Sequence, residues 1–475
     1  MDATSKSLYI HTIGCQMNVY DSEQIAMRLA RLGYQQTSAL EKADLVIVNT
    51  CTIRGKAEQK AFSFLGRLAR LKKKKPGLIA GVGGCVAQQE GEKIFKRIPY
   101  LDLVFGTQAI NRLPELIQKI ETKRCRIVDI EMVHKSDFAE ANSIVRQNGQ
   151  VSRFVTIMRG CDNFCSYCVV PYVRGRETSR HPDVIINEIQ ELAQAGLKEI
   201  TLLGQNVNSY GKKEGLCSFS ELLSRVSHIE QLLRIRFTTS HPKDLDDDLI
   251  NAFRTNDKLC NHIHLPVQSG SNRILKRMNR RYSKELYLDK VAKLRDTCPD
   301  IAITSDIIVG FPGESDDEFD ETLDLIQTIE FDGLFAFMYS DRPNAPAAKF
   351  DQKVSEKQKK DRLQNLLDRQ EKLTRMKNQA LVGNIVPILA EGFSKRQSSG
   401  NLNHPHQAVQ WTGRTATNKI VNFYQADNPE SCGEITPGKL VLIKIEKAYS
   451  HSLWGKPLDS KSLAEGMKGE ESYAA

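Results

Sequence analysis

No stretch of this chain comes near the roughly 18 consecutive apolar residues that a membrane-spanning helix needs. Its first residues, Met1-Asp2-Ala3-Thr4-Ser5-Lys6-Ser7, lack the apolar core of a secretory signal. The expectation is therefore a cytoplasmic protein with no membrane partner. Disulfides are rare there, which excludes a stapled secreted scaffold. The eleven cysteines then call for metal chemistry. A net charge of +9 over 475 residues fits a polyanionic partner without identifying one. Hydrophobic content of 40% and charged content of 26% are those of a globular protein. This length allows about three domains, each with its own core.

Before residue 130, short apolar runs alternate with amphipathic stretches. Leu8–Ile13, Leu45–Val48 and Leu78–Val82 read as strands. Ser22–Leu32, with Ile25, Leu29 and Leu32 at helical spacing, and Ala57–Leu71 read as helices. Such alternation predicts a parallel sheet of βαβ units. A cysteine follows each strand almost at once: Cys15, Cys51 and Cys85. Parallel strands share one carboxyl edge, where such folds bind ligands, so the three thiols are expected to converge there. Three convergent thiolates would hold an iron–sulfur cluster with one open iron; the alternative is three small buried hydrophobes. Cys125, Cys217, Cys260, Cys298 and Cys432 lack such partners and read as structural.

A second triplet lies in Arg159-Gly160-Cys161-Asp162-Asn163-Phe164-Cys165-Ser166-Tyr167-Cys168. A tetrahedral zinc site wants four ligands. A [4Fe–4S] cluster also takes four, so CxxxCxxC leaves one iron for a group that is not protein. With Tyr167 before the last cysteine, the run resembles the radical S-adenosylmethionine (SAM) enzymes, in which the open iron chelates SAM. From Arg153 onward, six strands (Phe154–Met158, Ile200–Leu203, Ile235–Phe237, Ile263–Val267, Ile303–Val309, Leu334–Tyr339) end in polar loops. They fit a partial TIM-type barrel with chemistry at its carboxyl edge. The resemblance implies SAM contacts from Tyr167, Gly204, Gln205, Asn206, Ser240, Gln268, Asp306 and Gly310. His241, His262 and His264 read as hydrogen-bonded structure, and the acids at 316–321 as a helix N-terminus.

Arg174, Arg176 and Arg180 beside the cluster loop suit phosphate or base contacts, with salt bridges to Glu177 and other acids as the alternative. Asn279-Arg280-Arg281-Tyr282 is a similar candidate, with Arg281 as its RNA contact. Residues 353–379 read as a charged linking helix. Short strands follow it (Asn384–Glu391, Ala408–Trp411, Lys419–Phe423, Lys439–Ile445), predicting a small antiparallel barrel. Trp411 is either core or surface, and Arg414 and Lys419 are offered to phosphates. Lys72–Lys75 read as a solvated helix end.

With both triads in view, the chain resembles the methylthiotransferase family over nearly its whole length. The implied domains are 6–130 with an auxiliary cluster, 147–376 with the radical SAM site and 377–446 as an RNA-binding TRAM module. Residues 460–475 are expected to be a disordered tail. The fold class is α/β with a terminal β-barrel. The resemblance implies two [4Fe–4S] clusters, SAM, and methylthiolation at carbon 2 of isopentenyladenosine 3′ of a tRNA anticodon. One SAM would methylate a sulfur on the auxiliary cluster and a second would supply the radical. A tRNA anticodon stem-loop, a one-electron donor such as flavodoxin or ferredoxin and a monomeric state complete that expectation; the sulfur donor is left open. Threonylcarbamoyl-adenosine in tRNA, a ribosomal-protein aspartate, or a non-catalytic iron–sulfur RNA-binding role are the alternatives. One departure stands out: where relatives commonly read Arg-Pro-Gly-Thr, this chain has Arg342-Pro343-Asn344-Ala345.

Overall fold

The structure is a computed structural model that describes residues 6–52, 55–132, 150–394, 410–425 and 434–458. The tail at 460–475, Cys432, Ala408-Val409 and the boundary at 147 lie outside the described residues.

In the first domain, strands β1 (Lys6–Ile13), β2 (Tyr34–Gln36), β3 (Leu45–Thr50), β4 (Ile79–Gly84), β5 (Leu103–Phe105) and β6 (Ile127–Asp129) form one sheet in the order β2-β1-β3-β4-β5-β6. All its pairings are parallel. Strands β3 and β4 are buried throughout, because helices cover both faces. Val46 and Val48 pack with Phe64, Leu65 and Leu68 on one side. Leu45 and Ile47 pack with Ile25, Leu29 and Ile117 on the other. That alternation follows from the two-residue period of a strand. Of the lysine run, Lys72 pairs with Asp102 and Lys75 with Asp44, tying the helix end to the sheet.

The central domain carries β7 (Ser152–Thr156), the antiparallel pair β8 (Met158–Arg159) and β9 (Thr178–Ser179), then β10 (Glu199–Leu203), β11 (Arg234–Thr238), β12 (His262–His264), β13 (Ala302–Val309) and β14 (Gly333–Met338). Two parallel sheets, β11-β10-β7 and β12-β13-β14, are joined by a parallel bridge from Ile235 to Leu259. The six long-range strands therefore run in chain order with every carboxyl end on one edge, as the sequence predicts. His264 and His262 share the Thr304 hydroxyl, as expected of structural histidines. Asp316, Asp317 and Glu318 fill the first turn of helix Asp316–Ile329, capped by Ser315.

Helix Glu356–Gln379 lies against this domain. Its polarity is not all solvated: Arg362 is buried against Glu314 at 2.8 Å and Asp316 at 2.6 Å. Beyond it, β15 (Ile385–Phe393), β16 (Gln410–Thr415), β17 (Ile420–Tyr424), β18 (Leu440–Ala448) and β19 (Leu453–Pro457) close a barrel in the order β15-β16-β17-β19-β18. Strand β19 is one the sequence pattern does not reveal. Trp411 belongs to the barrel core with Ile388, Phe423 and Leu453.

The barrel docks through charge. Arg236 donates to the carbonyls of Thr415 and Ala416, and Arg234 to those of Arg414 and Pro387. Lys419, expected at phosphates, is instead turned inward onto Asp332 at 3.4 Å, with its side chain only 14% exposed. Arg414 is half-buried against Glu391 at 3.0 Å. Docking a β-module on a neighbouring domain claims cations that the sequence alone presents as free.

Candidate functional site: two thiol triads at adjoining sheet edges

Cys15 caps helix Gln16–Ala30 just after β1, Cys51 follows β3, and Cys85 opens helix Cys85–Glu90 directly after β4. The turn into Cys85 needs glycine: Gly84 has φ +90°, and a Cβ there would lie 2.4 Å from the Thr50 carbonyl. Asn18 and Asn49 lock the loops together. Asn18 Nδ2 donates to Asn49 Oδ1 at 3.1 Å and to the Thr50 carbonyl at 3.2 Å. The thiols of Cys15 and Cys51 are hydrogen-bonded, which with the nearby Arg174 charge pulls Cys15 down to about 6 despite its burial. Burial pushes the Cys85 thiol up, opposed by Arg174 beside it.

The second triad sits in a loop built on strained turns. Gly160 has φ +75° and backs onto the Arg176 carbonyl, where a Cβ would lie 2.0 Å away; Phe164 has φ +49°. Cys168 N donates to the Cys165 carbonyl at 2.9 Å, and Val170 N to Cys168 Sγ at 3.4 Å. Asn279 Nδ2 holds the carbonyls of Asn163 and Phe164, and Ser166 is bonded to the backbone at 277–278. Burial pushes Cys161 up to about 11 and Cys168 up to about 12, and thiolate repulsion within the triad adds to both. Metal binding would displace those protons.

Among the described residues, no group of three or more His, Cys, Asp or Glu is placed to hold a single metal ion. A four-iron cluster puts each thiolate on its own iron, so its ligands stand farther apart. Each triad has that donor chemistry: Cys15 interacts with both Cys51 and Cys85, and Cys165 with both Cys161 and Cys168. Both fit a cluster with one iron left open.

Polar atoms with no protein partner gather at the carboxyl edge of the barrel. Buried and unpaired are both side-chain heteroatoms of Gln205 and of Asn208, Asn206 Oδ1, Ser240 Oγ and His241 Nε2. Burying such atoms unsatisfied is costly, so their clustering marks a ligand site. Gln205, Asn206 and Ser240 were expected from the sequence. His241 was read as structural; its Nδ1 does accept from Lys243 N at 3.2 Å, but burial holds the ring neutral with Nε2 unsatisfied. Its position beside Ser240 at a strand end was the available signal.

The other expected SAM contacts have partners within the protein. Tyr167 Oη accepts from Arg280 at 3.3 Å. Gln268 has φ +75° and its backbone bridges to β13. Asp306 lies 3.5 Å from His264. Gly310, with φ +70°, is pressed against Lys359 of the linking helix, where a Cβ would lie 2.2 Å from the lysine chain; its glycine serves that close approach. Gly204 likewise makes room for Met158, 2.4 Å from a would-be Cβ.

The arginines divide. Arg174 is buried on Asp21 at 2.7 Å, and Arg180 on Glu188 at 2.7 Å, so neither faces a passing phosphate. Salt bridging, the alternative reading of the loop, holds for both, but Arg174 finds its acid 153 positions away and Arg180 eight positions on. Glu177 is not their partner; burial pushes its carboxyl up to about 7. Arg176 keeps a side chain 56% exposed while meeting Asp162 at 2.8 Å, and Arg281 is exposed.

Arg174 also joins the two domains. With Arg153–Glu23 at 2.9 Å and Thr107 Oγ1 donating to the Val173 carbonyl at 2.7 Å, it fixes the first sheet against β7 and the cluster loop. In the same seam, Cys85, Val169, Val173 and Ala345 form one buried apolar cluster. Val169 directly follows Cys168, so the neighbour of one triad shares an apolar cluster with a member of the other.

Ala345 belongs to the segment where the chain departs from Arg-Pro-Gly-Thr. Asn344 has φ +69°, a region asparagine tolerates and a β-branched residue does not. Asn344→Gly should leave stability intact, and Asn344→Val should cost about 1–2 kcal/mol, read by thermal unfolding of the full chain.

Residues 7–106 match the uncharacterized protein family UPF0004, and residues 155–326 match the radical SAM superfamily. A tRNA-2-methylthio-N(6)-dimethylallyladenosine synthase of Desulfosudis oleivorans is 54% identical over 95% of this chain and 96% of its own length. One of Syntrophus aciditrophicus is 53% identical over 95% of each chain. Among solved structures, the radical S-adenosylmethionine methyltransferase TsrM of Kitasatospora setae shares the fold. Its TM-score is 0.54 at 13% identity, over 72% of this chain and 75% of that one. The two thiol triads, the parallel barrel and this near-complete alignment agree: the chain belongs to the tRNA-2-methylthio-N(6)-dimethylallyladenosine synthase family of radical SAM enzymes.

Proposed function

We infer that this chain is a methylthiotransferase that replaces the C2 hydrogen of N(6)-dimethylallyladenosine in tRNA by a methylthio group. The names of its relatives support the reaction and substrate. The observation that carries the reading is the juxtaposition of the triads, with Cys85 in one buried cluster with Val169, the neighbour of Cys168. In this reading Cys161, Cys165 and Cys168 hold the cluster that binds SAM, and Cys15, Cys51 and Cys85 hold a second cluster that carries sulfur.

The target C–H bond has no acidic proton and no leaving group, so side-chain acid–base catalysis cannot open it. A cluster with bound SAM supplies a carbon radical able to take that hydrogen. The chain's own residues bind and orient. Gln205, Asn206, Ser240 and His241 have unsatisfied polar atoms that would hold SAM. The anticodon loop is single-stranded, so its base can be splayed into the space at the strand ends. Arg176 and Arg281 are the arginines of the expected set left to meet its phosphates. The reading includes a cytoplasmic monomer served by a one-electron donor of flavodoxin or ferredoxin type. Among the described residues no helix is long and apolar enough to cross a membrane.

The test offers anaerobically reconstituted protein, SAM and dithionite to three substrates: tRNA carrying dimethylallyladenosine, tRNA carrying threonylcarbamoyl-adenosine, and a small ribosomal subunit. Mass spectrometry should find the methylthio group on the first alone. Transfer to either of the others instead would contradict the substrate assignment.

A further inference from the structure

Arg280 is 4% exposed, and every polar contact of its guanidinium is with an uncharged oxygen or with sulfur. Nε donates to Tyr282 Oη at 2.8 Å and Nη2 to the Pro266 carbonyl at 2.6 Å. Nη1 reaches Tyr167 Oη at 3.3 Å and Cys165 Sγ at 3.5 Å. Among the described residues no carboxylate pairs with it. Of the other buried arginines, Arg174, Arg180, Arg236 and Arg362 each meet a carboxylate, at 2.7, 2.7, 3.0 and 2.8 Å, and Arg234 is held by two backbone carbonyls. A buried cation without a counter-charge is strongly destabilising. The ionisable groups within its reach are two phenols, Tyr167 and Tyr282, both held neutral by burial, and the Cys165 thiol of the CxxxCxxC triad. The bonds to Tyr282 and Pro266 fix the guanidinium plane so that one N–H is spent on sulfur.

We propose that Arg280 is a positioning residue that sets the reduction potential of the cluster on Cys161, Cys165 and Cys168. The proposal rests on the cluster assignment made above. Reduction transfers one electron from an external donor of the flavodoxin or ferredoxin class to the cluster; the donor is oxidised by one electron and no bond is made or broken. The added negative charge spreads onto the ligating sulfurs. A fixed cation and an N–H···S bond stabilise the reduced form more than the oxidised one and so raise the potential.

The experiment is an EPR-monitored redox titration of the full chain carrying Cys15→Ala, Cys51→Ala and Cys85→Ala, so that a single cluster is read. Arg280→Gln should lower the ratio of reduced to oxidised cluster about tenfold at a fixed potential, equal to about 59 mV for one electron. Arg280→Lys, which keeps the charge, should stay close to the parent. An unchanged potential in Arg280→Gln at full iron content would overturn the proposal, as would Arg280→Lys falling as far. If Arg280→Gln fails to retain iron, Tyr282→Phe carries the test. It keeps the charge but frees Nε, and should shift the potential down by less; no shift there overturns the proposal. A parent without iron defeats the cluster assignment itself and this inference with it, an outcome separate from all the others.

Discussion

Replacing Cys161 by alanine abolishes reductive cleavage of SAM, because two thiolates and an exposed gap cannot hold a cluster that needs three. The loss should reach the uncatalysed background, at least roughly a 10⁶-fold fall on the general scale of enzymatic acceleration. The readout is 5′-deoxyadenosine formed under dithionite, with no tRNA required. Cys125→Ser, a half-buried thiol on the first domain remote from both triads, is the control and should cleave SAM as the parent does. Residual cleavage in Cys161→Ala comparable to that control would break the assignment of the site.

The second large effect separates the two triads. Cys51→Ala should lose methylthio transfer entirely while still cleaving SAM. Cys51 is hydrogen-bonded to Cys15, and its removal takes away one of the three thiols of this triad. Iron content should fall from about eight to about four atoms per chain, four being the complement of one cubane. Transfer at the parent rate in Cys51→Ala, or about four irons in the parent, would contradict the two-cluster account. The seam must survive the substitution for the test to be clean. It should, since Asn18 and Asn49 hold the two loops without help from the thiol.

Much of this was legible in the residues. The alternation before residue 130 gives the parallel sheet because strands buried on both faces must read as apolar runs, and β3 and β4 do. Cysteines placed just past three strands land at one edge because parallel strands share it. The six strand ends of the barrel were found by the same logic. What sequence does not carry is pairing at a distance. Arg174 meets Asp21 across 153 positions, and Lys419 meets Asp332 across a domain boundary. A linear reading offered Lys419 to phosphates and left Arg174 open between phosphates and nearby acids. Gly310 was legible as a special glycine but not as one needed by Lys359. His241 escaped because a histidine next to a strand is usually satisfied, and only three dimensions show an orphaned Nε2. Asn344 and Ala345 are the reverse case. A departure from the family pattern becomes understandable once the backbone shows that the position asks for a left-handed residue and its neighbour lies in the buried apolar cluster that holds Cys85.

The measurement that bears most directly on the account is nucleoside mass spectrometry of total tRNA from a strain lacking this gene, complemented by the parent chain, by Cys51→Ala or by Cys161→Ala. The account predicts 2-methylthio-N(6)-dimethylallyladenosine with the parent chain and unmodified dimethylallyladenosine with either variant. Absence of the methylthio nucleoside with the parent, or its presence with either variant, would contradict it.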